Sequence, residues 1–217
     1  MRSRSRFTFA DRADAGRQLA AVLPRLAAPL ILGLPRGGVP VAAAVAAALE
    51  AELDVFVVRK LGLPWQPELA MGAVATGGVR VLNDDVVREA QVTDQMLEEA
   101  TRRETAEVEA REQLYRGDRP PAALAGREVV LVDDGLATGA TMRAAAAAAA
   151  SHQPARVVAA APVVARETQA VFARHGIELV SVLAPQQFVA VGAWYRDFSA
   201  VSDDEVVRLL GVGRNHS

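Results

Sequence analysis

From Val129 to Thr141 the chain reads VVLVDDGLATGAT: an apolar run, two adjacent carboxylates at Asp133 and Asp134, then a short loop of Gly, Ala and Thr. A helix opening at Thr138 to Thr141 would leave its first backbone N–H groups without intrahelical partners, aimed with the positive end of the helix dipole at a phosphate. The hydroxyls of Thr138 and Thr141 add donors, and Gly139 lets the backbone approach closely. The carboxylates ask for a different partner. As acceptor-only groups they suit the vicinal hydroxyls of a ribose, or Mg²⁺ with its waters. Loop and carboxylates together describe a ribose 5-phosphate moiety. The pattern GxxxxGK[ST] is absent, so this is not a Walker loop. Taken singly, an Asp pair or a Thr at a strand-loop-helix junction is a dipole partner or a cap. The order of all nine residues from Asp133 to Thr141 points to a ligand instead.

Cations stand at two other places. Leu34 to Gly38 (LPRGG) ends the apolar run Pro29 to Leu34 and offers Arg36 with the amides of Gly37 and Gly38. Arg59 and Lys60 follow the apolar run Leu53 to Val58. Of the 24 basic residues Lys60 alone is Lys, in a chain rich enough in Arg and Ala that an average surface cation becomes Arg. Chance survival is the bland explanation; the functional one is that a compact, rotatable ammonium was needed where a planar fork would not fit. His152, His175 and His216 have no metal-ligand spacing and read as surface residues.

The elements that must position these groups follow from the apolar pattern. Continuous apolar runs at Pro29 to Leu34, Leu53 to Val58, Arg127 to Val132, Arg156 to Val164 and Ile177 to Leu183 read as strands buried on both faces. Helical spacing over Ala10 to Ala27, Val39 to Glu50, the alanine-rich stretch from the TGAT loop to about Ser151, and Ala165 to Arg174 separates them. Strand-helix alternation implies right-handed crossovers and an α/β fold with a parallel sheet flanked by helices. Leu69 to Thr76 and Val79 to Leu82 around Gly77-Gly78 read as a hairpin with a primed turn. Thr93 to Arg116 reads as a solvated helix laced by Glu98/Arg102, Glu99/Arg103, Glu107/Arg111 and Glu112/Arg116 in the favourable order.

Length and composition bound the rest. The chain has 217 residues, 51% of them hydrophobic and 23% charged, which excludes a disordered chain and favours one globular domain over residues 1–217. The net charge of -2 supplies no global field for nucleic acid or a membrane surface. Cysteine is absent, which removes disulfides and thiolate chemistry together. The longest nearly uncharged stretch, Gly37 to Leu49, is shorter than the roughly 20 residues of a membrane span. The start MRSRSRF mimics a signal-peptide n-region, but Asp11, Arg12 and Asp14 interrupt the apolar stretch that should follow. A cytoplasmic protein is expected.

The stretch VVLVDDGLATGAT resembles the phosphoribosyl diphosphate (PRPP) signature of type I phosphoribosyltransferases, matching its hydrophobic run, acidic pair and TGxT; Gly135 stands where that pattern usually has an aliphatic residue. The resemblance implies that Asp133 and Asp134 hold the ribose hydroxyls. It also implies that Thr138, Gly139, Ala140 and Thr141 hold the 5′-phosphate, with Gly135 and Ala137 among the residues that bind PRPP. LPRGG falls where the family has its diphosphate loop, entered by a strained peptide that here would be Pro35-Arg36. Arg59-Lys60 is similar to a basic pair that neutralises the diphosphate. The whole chain looks like a subgroup of stand-alone predicted phosphoribosyltransferases.

Membership of that family implies Mg²⁺-dependent transfer of a phosphoribosyl group from PRPP to a nitrogen acceptor, with catalysis by Lys60, Arg36, Arg59, Asp133 and Asp134. No direct metal ligand is implied: Mg²⁺ would arrive on PRPP and reach Asp133 and Asp134 through water. Residues 61–118 would form a lid hairpin and helical insertion, with Leu61 to Gly78 as the lid. Residues 184–217 would form a hood and tail, with Trp194, Tyr195, Asp197 and Phe198 around the acceptor. Tyr195 and Phe198 flank Asp197, whose pKa would rise if they bury it. Ala137 resembles adenine-type members, whereas hypoxanthine-guanine-type members place an Asp there. The expected partners are PRPP and a small-molecule acceptor, with no nucleic acid or membrane; a homo-oligomer stays open, as does a non-catalytic PRPP-binding regulator. A kinase of the PRPP-synthetase type shares DDxxxTGxT but would need an ATP-binding feature not visible here.

Overall fold

The structure, a computed structural model, describes residues 8–211. The chain runs through α1 (Arg12–Val22), β1 (Leu30–Gly33), α2 (Gly38–Leu49), β2 (Glu52–Val55), β3 (Val58–Leu63), β4 (Gln66–Ala75) and β5 (Val79–Leu82). Helices α3 (Asp84–Glu89) and α4 (Asp94–Arg116) follow, then β6 (Glu128–Val132), α5 (Ala140–Ala150), β7 (Arg156–Val163), α6 (Arg166–Arg174), β8 (Glu178–Leu183) and α7 (Asp203–Leu209).

Five strands form the parallel sheet in the order β2-β1-β6-β7-β8. The central strands β1, β6 and β7 are buried on both faces, as unbroken apolar runs require, whereas edge strand β8 is half-buried. Ile31, Val130, Val132, Val158 and Ala160 face Leu19, Val41 and Val45 of α1 and α2. Leu32, Val129, Leu131, Ala159 and Ala161 face the alanines of α5 and Phe172 of α6. Helix α1 starts at its Asp11 cap, whose side chain accepts from the Asp14 N–H at 2.7 Å, and stops before Pro24. It crosses α2 closely because Gly16 has no side chain: a Cβ there would lie 2.5 Å from the Val41 carbonyl.

The expected second strand is corrected. It ends at Val55 and not at Val58. Phe56 N–H still reaches the Gly33 carbonyl at 3.0 Å, but Val57 N–H turns to the Thr76 hydroxyl at 2.9 Å. The run is picked up by a second, antiparallel sheet in the order β3-β4-β5. Arg59 and Lys60 therefore lie inside β3 and not in a loop past a parallel strand. The Gly/Pro-rich segment LGLPWQP is strand, turn and strand. The Gly77-Gly78 connection is a turn of 3-10 helix, both glycines at positive φ (79° and 74°), in place of a two-residue primed turn.

Helix α4 is also less solvated than its charges imply. Leu97, Ala100, Val108 and Tyr115 pack on Leu61, Leu63, Met71 and Val74 of the second sheet. Of the four expected Glu/Arg pairs, Glu112–Arg116 is formed, at 2.7 Å. Arg116 is buried, and its Nε donates to both oxygens of Asp54 at 3.0 and 3.1 Å. Asp54 also accepts the N–H groups of Val55 and Ala122 and the Arg119 guanidinium. This buried network bolts the end of α4 to β2. His175 is exposed as expected; His152 is half-buried against Gly77, its Nε2 without a hydrogen-bond partner among the described residues, and His216 lies outside those residues. Among them no helix is long and apolar enough to cross a membrane.

Removing one partner of a buried, hydrogen-bonded ion pair strands the other charge. Arg116→Ala is therefore expected to destabilise the fold by about 3 to 5 kcal/mol. Urea unfolding of the two proteins measures it; a loss under about 1 kcal/mol would mean that water relieves Asp54.

Candidate functional site

Parallel neighbours β1 and β6 end on the same sheet edge, and the loops leaving them touch. The Leu34 N–H donates to the Val132 carbonyl at 2.8 Å, and the Gly38 N–H to the Leu34 carbonyl at 3.0 Å. A Cβ on Gly37 would lie 2.1 Å from Asp134 Oδ2, and one on Gly38 would lie 2.4 Å from the Val132 carbonyl. The Pro35-Arg36 peptide is cis. Helix α2 opens at Gly38 and α5 at Ala140. Two helix N-termini thus flank one acidic pair, each suited to an anion.

Within that pair the carboxylates differ. Asp133 Oδ1 accepts the Asp134 N–H at 2.8 Å. Burial in the cleft, reinforced by the neighbouring Asp134 charge, pushes the Asp133 carboxyl up to about 8. Burial also raises Asp134, while the Arg12 guanidinium pulls it back. Arg12 Nε and Nη2 both lie 2.9 Å from Asp134 Oδ2. The Tyr195 hydroxyl donates to the Asp134 carbonyl at 2.6 Å. Arg12 stands 122 positions from its partner, so local spacing gave no signal for it.

The TGAT loop is braced from α6. Gly139 takes φ +67°, and a Cβ there would strike Phe172 and Thr168 at 2.5 and 2.8 Å. The Thr168 hydroxyl donates to the Ala137 carbonyl. Thr138 Oγ1 accepts the Ala140 N–H at a long 3.4 Å, and the helix begins at Ala140 and not at Thr138. Ala137, Thr138 and Thr141 are exposed. Gly135 has its reason: Val191 fills the space, 2.4 Å from where a Cβ would be.

The cations divide. Arg36 is half-exposed and lies 3.6 Å from Asp203 of α7. Asp203 also accepts the Tyr115 hydroxyl at 2.7 Å; burial and then that bond raise Tyr115 to about 12. Arg59 turns to α4, its Nε 3.0 Å from Glu104, whose other oxygen takes Arg103 at 3.1 Å. Lys60, the next residue on β3, points to the opposite face, sits half-buried opposite Ala73, and forms no ion pair among the described residues.

The carboxyl-terminal segment is placed differently from the hood expectation. Tyr195 is 1% exposed, and its ring lies 5.2 Å from Phe9 and 5.0 Å from Phe198, so it belongs to a satellite core. Trp194 packs at the edge of that cluster. Asp197 is exposed, and two hydrogen bonds from Ser199 hold it below the usual carboxylate range; the aromatic rings do not raise it. The apolar surface this segment does expose is Val189, 90% accessible, beside half-buried Phe188.

The family model described as "Phosphoribosyl transferase domain" matches residues 14–188. Two Mycobacterium tuberculosis proteins, from strains CDC 1551 / Oshkosh and H37Rv and each named "Putative phosphoribosyl transferase", are 50% identical over 204 residues. The match takes in 93% of this chain and 46% of theirs, so the chain spans about half the length of these curated relatives. The crystal structure of TT1426 from Thermus thermophilus superposes with a TM-score of 0.86 at 47% identity, over 94% of this chain and 98% of that one. A hypothetical protein from Neisseria gonorrhoeae, solved with bound ppGpp, shares the fold at 15% identity and a TM-score of 0.51, over 98% and 99% of the two chains.

A carboxyl raised from 3.8 to about 8 binds its proton more tightly in the folded than in the unfolded chain. Its contribution to stability is therefore full below pH 4 and is lost as pH rises toward 8. Relative to Asp133→Asn, the wild type should lose stability steadily between pH 5 and pH 8.5 in urea unfolding. A stability difference between the two proteins that stays constant over that window would show Asp133 ionised throughout.

Proposed function

This chain belongs to the phosphoribosyl transferase family, and we propose that it transfers the phosphoribosyl group of PRPP to a nitrogen acceptor of the nucleobase class, releasing diphosphate. The observation that supports this best is the contact of Gly37 with Asp134, which sets the LPRGG loop and the TGAT loop on either side of the acidic pair. A ribose seated on Asp133 and Asp134 then has its 5′-phosphate at the α5 N-terminus and its C1 diphosphate toward the α2 N-terminus, Arg36 and the amides of Gly37 and Gly38.

In the reaction the C1–oxygen bond breaks and its electron pair leaves on the diphosphate, while the acceptor nitrogen gives its lone pair to C1 and then sheds its proton. The sugar passes through a cationic state, so the protein's work is positioning and fixed charge. The free carboxylate oxygens of Asp133 and Asp134 suit ribose hydroxyls, or the waters of Mg²⁺ carried on PRPP. Among the described residues no group of three His, Cys, Asp or Glu could hold a metal on its own. Mg²⁺ would supply neutralisation of the diphosphate. Lys60 supplies an uncommitted ammonium from β3. Because Leu61, Leu63 and residues 73–75 are buried, closure over the site falls to the β3–β4 turn around Pro64-Trp65 and not to the whole segment Leu61 to Gly78.

A second reading, a PRPP-binding regulator without turnover, is favoured by one observation: Arg36 and Arg59 both rest on carboxylates. Diphosphate release from PRPP, Mg²⁺ and a panel of bases separates the two; release with none of the bases, alongside tight PRPP binding, would favour the regulator.

Thr138→Ala should weaken PRPP binding by about 1.5 to 3 kcal/mol in calorimetry, the range for a hydrogen bond to a charged group; unchanged affinity would remove the phosphate loop. Lys60→Ala should lower turnover by about 10² to 10³, with Lys60→Arg restoring only part of it. Equal activity in all three proteins would return Lys60 to chance. The methyl of Ala137 can neither accept nor donate a purine-ring proton, and Asp197 is committed to Ser199. Hypoxanthine and guanine are therefore expected to be poor acceptors beside adenine-like bases, and efficient guanine turnover by the wild type would contradict this.

A further inference from the structure

Arg12 is a poor residue for its own helix. It occupies the first position of α1, where the dipole disfavours a cation, and the helix already has Asp11 as cap and Asp14 in its first turn. Yet its side chain is only 11% exposed and is fully engaged. Nε and Nη2 hold Asp134 Oδ2, Nη1 donates to the Ser199 carbonyl at 2.8 Å, and the guanidinium carbon lies 3.9 Å over the Phe198 ring. Only a planar fork reaches all three.

We infer that Arg12 is a positioning residue of the ribose site, which holds Asp134 Oδ2 beside the Gly37 loop and leaves Oδ1 for a ligand; this rests on the proposed function. With Arg12 on Asp134 Oδ2 and the Asp134 N–H on Asp133 Oδ1, each carboxylate keeps one oxygen free of hydrogen bonds among the described residues. Two free oxygens on adjacent residues match two vicinal hydroxyls. Arg12 also offsets the charge of Asp134, which would otherwise repel a polyanionic ligand. The other groups facing the pair are neutral Tyr195 and, beyond Arg12, Asp197. By way of Ser199 and Phe198 the same guanidinium fastens the carboxyl-terminal segment to the ribose site.

The test is a double-mutant cycle read by PRPP calorimetry in Mg²⁺, with wild type, Arg12→Gln, Arg12→Lys, Asp134→Asn and the Arg12→Gln/Asp134→Asn double variant. Arg12→Gln should weaken PRPP binding about 10- to 100-fold, as for loss of a charged hydrogen bond. Arg12→Lys should recover part of it. The double variant should bind no more weakly than the weaker single one, because Arg12 acts through Asp134. Losses that multiply in the double variant, or an Arg12→Gln affinity within about 2-fold of wild type, would overturn the inference while leaving the function intact. If Arg12→Gln does not fold, as judged by circular dichroism, the cycle is run with Arg12→Lys and the same criterion applies. A wild type that does not bind PRPP would overturn the function and this inference together.

Discussion

Two parallel neighbours in the sheet, β1 and β6, deliver their loops to one edge at a distance that leaves no room for a side chain between them. Gly37 lies against Asp134 and Gly38 against the Val132 carbonyl, so the two loops hold one geometry between them. That contact aligns the N-termini of α2 and α5 on either side of the carboxylates. The rest of the molecule serves it: α6 braces the TGAT loop through Thr168 and Phe172, and Val191 fills the hole that Gly135 leaves. The Asp54–Arg116 network carries the second sheet and Lys60 on the flank.

Electrostatics in this cleft are arranged by pairing. Burial raises both carboxylates, and Arg12 draws Asp134 back part of the way. The outer cations behave in the same way. Arg36 and Arg59 rest on Asp203 and Glu104, whereas Lys60 forms no ion pair among the described residues. The charges of the cleft are therefore already neutralised in part.

What was legible in the sequence was local. VVLVDDGLATGAT carries its strand, loop and helix in consecutive residues, and the parallel sheet followed from five buried runs separated by helical segments. The break at Phe56-Val57 was not legible, because LDVFVVRKLGL is one uninterrupted β-favouring run and the turn is made by Thr76, far along the chain. Helix α4 read as solvated because its apolar stripe is sparse and its buried Glu104 and Arg116 look like surface charge until their partners appear. Arg12 and Tyr195 act on Asp134 across 122 and 61 positions, and no spacing rule spans such distances. The aromatic cluster near the carboxyl terminus was visible as a cluster, but whether its rings face a ligand or one another is decided by Phe9.

In the proposed function one cleft holds both ends of PRPP, with the acidic pair between. Competition calorimetry tests it most directly: PRPP is titrated with Mg²⁺ in the presence of ribose 5-phosphate or of diphosphate. The account predicts one PRPP per chain, with each fragment displacing PRPP and the two fragments binding together without excluding each other. Absence of PRPP binding, or displacement by only one of the two fragments, would contradict it.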